Sequence, residues 1–357
     1  MGIFTIFVLI SLLFSCASSG NVGGGKGLTM TFAGDIMAHT TNWAMKDYDM
    51  IYDDIRGILK KSDLSFANFE TPVDERKKYE TYPCFNVKPP YAEAAIRAGF
   101  NVFTLANNHS IDQGTDSLHS TRDFFASKKN IYSGGLKKSA DEPLTPILIR
   151  KKGFDLLCLC VTELSNAYTN ALNFVNYVPK KQSVRNAFLA QIAEMRKKNP
   201  CDIFVLAIHL DEPEYILTVN GERKRFFNQL LAAGVDVIWA SHPHVMHPWE
   251  VRDEGSKLVM YSMGNLISGQ RAVLNFENPL APREYTGDAY MLQVSATKRD
   301  GKVKFSKVDP ILVTNYMDRE DNMTIRRFTE DFIADLPTEK ERSYYKRRLS
   351  AMKDIHP

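Results

Sequence analysis

The sequence predicts a single α/β domain, and three observations carry that expectation. Short apolar runs alternate with segments of helical periodicity from residue 28 onward. No internal repeat and no domain boundary interrupts the alternation. The 357 residues are 44% hydrophobic and 24% charged, a balance that can bury a sizeable core and excludes a fibrous or wholly disordered chain. Lys plus Arg is 45 and Asp plus Glu is 42, a net charge of +3 with no block of like charges, which argues against a dedicated nucleic-acid binder.

Residues 3–14 read IFTIFVLISLLF, too short a stretch to cross a bilayer core but suited to the apolar region of a signal peptide over 1–15. It runs into Leu13-Phe14-Ser15-Cys16, which resembles a bacterial lipobox. Cys16 would then become the lipid-bearing N-terminus of an exported protein, held on the outer face of a bacterial membrane (periplasmic or cell surface) by that anchor alone. The alternative is a plain secretory signal. Residues 16–27 form a Gly/Ser tether. Its GGGKG is not a nucleotide loop, because no Ser or Thr follows the Lys and no strand precedes it.

The main domain spans 28–315. LTMTFA (28–33) reads as a buried strand, YDDIRGILKKS (52–62) as an amphipathic helix and LSFAN (64–68) as a second strand. A helix over 91–99 stops at Gly99, FNVFTLA (100–106) is a strand, and 115–128 a helix. LTPILIRKKGFDLLCLCVT suggests a hairpin turning at Lys152-Gly153. Helix 183–199, strand 202–208, helix 221–234 and strand 235–241 follow, then strands at 257–262, 288–296 and 302–313. A charged helical tail is expected over about 324–352, within a C-terminal segment 316–357. Cys158 and Cys160 share one strand face and cannot easily pair. Together with Cys84 and Cys201 they are expected to be buried apolar fillers.

Polar residues recur where strands end. TFA is followed by Gly34-Asp35, SFA by Asn68-Phe69-Glu70, FTLA by Asn107-Asn108-His109 and VLAI by His209. VIWA is followed by Ser241-His242-Pro243-His244, and MYS by Met263-Gly264-Asn265. Open α/β sheets bind ligands at the carboxyl edges of their strands. One such His is usually structural; six loaded strand ends point to a polar cleft and a metal site. Carboxylate, Asn carbonyl and imidazole suit Mn, Fe, Zn or Co better than Ca, and with no Cys at these ends a structural zinc ribbon is excluded. The candidates outnumber the ligands of one ion, so two divalent ions sharing a carboxylate are expected. Their charge exceeds that of Asp35 and Glu70, which favours an anionic oxygen such as phosphate or carboxylate as ligand.

The motifs GDIM (34–37), NFE (68–70), ANNHSIDQG (106–114), a lone His after a strand (209), HPHV (242–245) and YSMGN (261–265) resemble, in order, those of the CapA family of poly-γ-glutamate capsule synthesis proteins. The resemblance runs from about residue 28 to 300. It implies a calcineurin-like metallophosphatase fold: a layered α/β/β/α sandwich with mixed sheets and a dinuclear site at the strand ends. By position it implies Asp35 and His244 on a first ion, Glu70 bridging, and Asn108, His209 and His242 on a second. His39 either completes the first ion or sits at a helix start or on the surface. The resemblance makes His109 the general acid for the leaving group, oriented by Asp112, which could instead cap a helix. Asn265 and Ser262 line the rim or hold a turn. The segment LDEPEY after His209 departs from the family pattern; Glu214 and Tyr215 are substrate contacts or surface residues. Ala240 replaces a Gly common before HPH, and His247 supports the ligands or the structure.

The implied role is metal-assisted hydrolysis or transfer in making, exporting or anchoring a γ-linked glutamate polymer or related anionic polymer, within a capsule synthesis membrane complex. The alternatives are a non-catalytic polymer-binding or anchoring subunit and a γ-glutamyl polymer hydrolase. No ATP-binding loop stands in the sequence, which argues against activation of glutamate by this chain.

Overall fold

The computed structural model describes residues 27–355, so the signal and lipidation expectations lie outside the described residues. The first half of the chain reads β1 (Leu28–Ile36), α1 (Thr40–Trp43), α2 (Asp53–Leu59), β2 (Leu64–Phe69), α3 (Pro89–Ala98), β3 (Val102–Thr104), α4 (Thr115–Ala126), β4 (Tyr132–Gly134), β5 (Ile147–Lys151) and β6 (Phe154–Thr162). Then come α5 (Gln182–Lys198), β7 (Ile203–His209), α6 (Gly221–Ala232), β8 (Val237–Ser241), β9 (Trp249–Arg252), β10 (Lys257–Met260) and β11 (Asn265–Ile267). The chain closes with β12 (Asp288–Arg299), β13 (Lys302–Met317), β14 (Met323–Arg327), α7 (Glu330–Ala334) and α8 (Glu339–Ile355).

Two mixed sheets form. The first runs β14-β13-β12-β1-β2-β3-β4, with β11 also on β1; the second runs β5-β6-β7-β8-β10-β9. In the first, β1 to β4 are parallel and the β12–β14 meander is antiparallel. In the second, β6, β7, β8 and β10 are parallel, with antiparallel edges β5 and β9. The hairpin turns where its Lys-Gly pair predicts, with φ of 50° at Lys152 and 83° at Gly153.

The inner faces of the sheets meet in one apolar layer that includes Met30, Phe32, Phe66, Val205, Trp239 and Leu292. Phe32 and Phe66 stack at 4.4 Å between centroids, and Trp239 from the opposite sheet meets them at 6.0 and 5.8 Å. The Trp239 indole N–H donates to the Ala33 carbonyl at 2.9 Å, a polar stitch across the seam. On the outer faces, Ile55, Leu59, Ala95 and Phe125 from α2, α3 and α4 pack on the first sheet; Phe188, Ile192, Phe227 and Leu230 from α5 and α6 cover the second. The result is the α/β/β/α sandwich in a single domain. At the end of β6, buried Glu163 accepts from Arg185 of α5 and Arg223 of α6, pinning both helices.

Two expectations are corrected. The charged tail does not begin as a helix at 324: residues 323–327 are β14, paired with β13, because Met323 and Ile325 alternate into the core. Its last helix is built in, with Tyr344, Tyr345, Leu349 and Met352 buried against the inter-sheet layer. All four described cysteines are free and Cys158 and Cys160 are buried, but Cys84 is exposed on a loop and Cys201 half-buried at the edge of β7. Among the described residues no helix is long and apolar enough to cross a membrane.

Candidate metal centre

The carboxyl ends of the parallel strands of both sheets converge. Gly34 makes the first approach possible: a Cβ there would lie 1.8 Å from the Gly264 carbonyl oxygen. With only hydrogen in the way, the Asp35 N–H donates to that carbonyl at 3.1 Å. Gly264 turns with φ of +77°, a conformation open to glycine. Asp35 thus stands in register with Asn265 on one side and Asn68 on the other. Across the seam, β7 delivers His209, and the turn after β8 delivers His242 and His244. Both of these are in the left-handed region (φ 102° and 58°), a cost that non-glycine residues meet mainly where geometry is imposed by function.

Asp35, Glu70, His209, His242 and His244 are all buried. Two groups have ligand atoms within 4.8 Å of one another: Asp35, Glu70 and His209; and Glu70, His242 and His244. Glu70 is common to both. Its Oε1 lies 3.8 Å from His209 Nε2 and 3.9 Å from His244 Nε2, and Asp35 Oδ2 lies 3.6 Å from His244 Nδ1. Glu70 Oε1, Asp35 Oδ2 and His242 Nδ1 are buried without a hydrogen-bond partner. Orphaned acceptors on three converging side chains would be costly unless a cation takes them up. The donor set of carboxylate, imidazole and amide carbonyl fits divalent ions, and a carboxylate shared by two groups fits a pair.

The electrostatics agree. Burial, then the neighbouring Asp35, Glu214 and Asp112 charges, pushes the Glu70 carboxyl well above its ordinary range. Burial, reinforced by neighbouring imidazoles, holds His209 and His242 well below theirs, keeping them neutral as ligands must be. Burial works the same way on His244, but the nearby Asp35 carboxylate outweighs it and raises its pKa.

The NNH triplet divides its tasks. Asn107 ties the turn to the end of β2, its amide donating to the Phe69 carbonyl at 3.0 Å. Asn108 presents its amide oxygen to His209 Nε2 at 2.8 Å. His109 Nδ1 lies 2.7 Å from Asp112 Oδ2, which also accepts the Phe85 N–H at 2.8 Å. Asp112 therefore orients the imidazole and does not cap α4, whose N-cap is Gly114. Phe85 packs edge-on against His109 with centroids 4.6 Å apart. His39 belongs to neither group: its Nδ1 accepts the Gly269 N–H at 3.1 Å, which leaves the proton on Nε2, and burial lowers its pKa to about 3. It starts α1 beside Phe85, the helix-start alternative. Ser262 holds the turn through the Val245 carbonyl at 2.8 Å, and His247 donates from Nε2 to the Ile216 carbonyl at 2.7 Å.

Several residues outside the expected ligand set support it. Asn68 donates to Asp35 Oδ1 at 2.8 Å and Glu70 Oε2 at 3.1 Å. Asn265 meets His244 Nδ1 at 2.8 Å, Ser241 meets His209 Nδ1 at 2.9 Å, and the Asn166 amide nitrogen lies 3.2 and 3.3 Å from the two ring nitrogens of His109. Asn68 and Asn265 stand in the NFE and YSMGN motifs, and Ser241 follows a strand, the signal that could have marked it as a support. Asn166 arrives from a loop.

Fold and site define an α/β/β/α sandwich with a buried acid–histidine cluster at its strand ends. Residues 29–270 match the model of the bacterial capsule synthesis protein family PGA_cap, more than half of the chain, and the chain belongs to that family. It is 28% identical over 251 residues to the PGA biosynthesis protein CapA of Bacillus subtilis (strain 168), covering 68% of this chain and 64% of that protein. It is 27% identical over 260 residues to the capsule biosynthesis protein CapA of Bacillus anthracis, covering 68% and 60%. The match thus spans under two thirds of either relative's length. Among solved structures it is similar to the calcineurin-like phosphoesterase YfkN of Bacillus subtilis, with a TM-score of 0.46, 11% identity and coverage of 93% of this chain and 99% of that one.

Proposed function

We propose that this chain is an exported, lipid-anchored capsule biosynthesis protein that hydrolyses or transfers an anionic surface polymer of the poly-γ-glutamate type at a site holding two divalent ions, Mn, Fe or Zn. The observation that carries the reading is Glu70 shared between two buried acid–histidine groups in a chain of the capsule synthesis family. Asp35, Glu70, Asn108, His209, His242 and His244 would hold the ions. Bound there, the ions would supply Lewis-acid stabilisation of negative charge developing on a substrate oxygen. The chain's own contribution is acid chemistry at His109. Asp112 fixes the ring through Nδ1, so Nε2 is the atom that carries a proton to the leaving group. Phe85 packs against that ring and shields one side of it from water. The apolar stretch 3–14, followed two residues on by Cys16, supports export and anchoring, with a domain that begins near residue 28 and a capsule complex as its setting.

Metal-loaded protein should turn over phosphodiesters or γ-glutamyl oligomers, and His109→Ala should lose roughly 10²–10⁴-fold in kcat while retaining its metal. Equal activity in that variant removes the proposed acid. Polymer binding without any turnover identifies a binding subunit instead. Substituting Cys16 should release the protein from membranes.

A further inference from the structure

The rim of the metal centre carries two opposite charges that do not neutralise each other. Glu214 and Arg283 are both exposed, and neither forms a salt bridge among the described residues. They stand in different segments, one next to Tyr215 in sequence and the other bonded to the Gln270 backbone. Tyr215 sits in the left-handed region at φ 63°, and its N–H donates at 3.0 Å to the carbonyl of Pro243, the residue between His242 and His244. The loop bearing Glu214 is therefore clamped onto the histidine turn itself. Burial and the adjoining Glu214 carboxylate hold the Tyr215 phenol above its ordinary pKa, so it stays protonated.

The opposite side is tied down equally. Arg283 donates from Nε to the Gln270 carbonyl at 2.9 Å, which leaves both terminal nitrogens of its guanidinium without a protein partner among the described residues. The Gln270 side chain accepts from Asn265 at 2.8 Å, and Asn265 holds His244 Nδ1 at 2.8 Å. Its amide nitrogen stands 3.5 Å from the Tyr215 hydroxyl. The segments that carry an anionic and a cationic group are thus each tied to the frame of the metal centre, and they meet at Tyr215 and Gln270.

We propose that Glu214 and Arg283 form a subsite for a zwitterionic amino-acid end, Glu214 receiving an α-ammonium and Arg283 the adjacent α-carboxylate. A γ-linked glutamate chain has one such end: its amino-terminal residue carries both free groups on one carbon, whereas interior residues have a carboxylate and an amide. The inference deepens the capsule-polymer reading and rests on it. The site would then act on or hold the polymer by its amino end, not along its length.

Calorimetry on the full chain tests this with three pentamers of γ-linked glutamate: one with a free amino end, one acetylated there, and one whose first α-carboxylate is a carboxamide. The wild-type protein should bind the free-ended pentamer roughly five- to tenfold more tightly than either modified one, the range of a partly exposed charge pair. Glu214→Gln should abolish the preference over the acetylated pentamer only, and Arg283→Gln the preference over the carboxamide only, with Arg283→Lys restoring part of it. Equal wild-type binding of all three, or unchanged preferences in both variants, overturns the subsite and leaves polymer binding intact. No binding of any pentamer overturns the polymer reading as well.

Discussion

Asn68 spends its amide nitrogen on two carboxylates, Asp35 Oδ1 and Glu70 Oε2, and so holds both against mutual repulsion with their free oxygens turned inward. Asn68→Ala should leave the fold in place and lower divalent-metal affinity by about 10–100-fold, the usual effect of removing a group that orients ligands, measured by competition with a chelating dye. Protons enter the same balance. Glu70 and His244 both have raised pKa values, so each holds a proton at a pH where the free side chain would have lost it. Ligands must be deprotonated, so metal binding should release protons and affinity should climb as pH rises through these values. Titration calorimetry in buffers of different ionisation enthalpy reads the proton count; no release would contradict it. The site's acids and histidines were legible because each follows an apolar run that can only be a strand. His39 takes the helix-start alternative for a physical reason: four residues from Asp35 the chain has already left the strand, and a backbone amide claims the ring. Gln270 and Arg283 were not legible, since they stand in loops whose path no periodicity records.

At the scale of elements, β12 and α8 are joined by a buried ion cluster. Asp288, the first residue of β12, accepts from Arg271 at 2.8 Å and from Arg348 of α8 at 2.8 Å, and all three are buried. Burial alone would raise the Asp288 pKa; the two guanidinium groups outweigh it and hold the carboxyl below its ordinary value. The sign follows from the depression. The stability that Asp288 contributes is complete above its unfolded pKa of about 3.9 and is lost as pH falls through the lower folded value. Asp288→Asn leaves two buried cations undercompensated and should cost about 3–5 kcal/mol at neutral pH by urea unfolding, with the penalty shrinking in acid. A penalty that is the same at every pH would contradict this assignment. Alternation and helical spacing revealed the long elements. β4, β9, β11 and β14 escaped notice because three to five residues are too few to show a period, and β14 opens a segment whose charges suggested a helix.

At the scale of the molecule, the candidate centre straddles the seam between the sheets. Asp35, Asn68 and Glu70 come from the first sheet, and His209 and the His242–His244 turn from the second. Beneath them the seam is apolar and closed by Phe32, Phe66 and Trp239. Without ions, the top of the seam brings together two carboxylates with unpartnered oxygens and three imidazoles, an arrangement that repels or must take up protons. With ions, the same groups would become ties between the sheets. Metal should therefore raise the stability of the whole domain, by about 2.7 kcal/mol at a free metal concentration of 100 Kd. Chelation should lower Tm by several degrees in one cooperative transition, and Glu70→Gln should lose most of that response because both groups use its carboxylate. Trp239→Ala offers the contrast: it removes apolar contact and the stitch to Ala33, should cost about 3–5 kcal/mol, and should leave the response to chelator intact. If chelator shifts Trp239→Ala and wild type but spares Glu70→Gln, metal and core hold the two sheets together independently. An equal shift in Glu70→Gln would place the stabilising ion elsewhere.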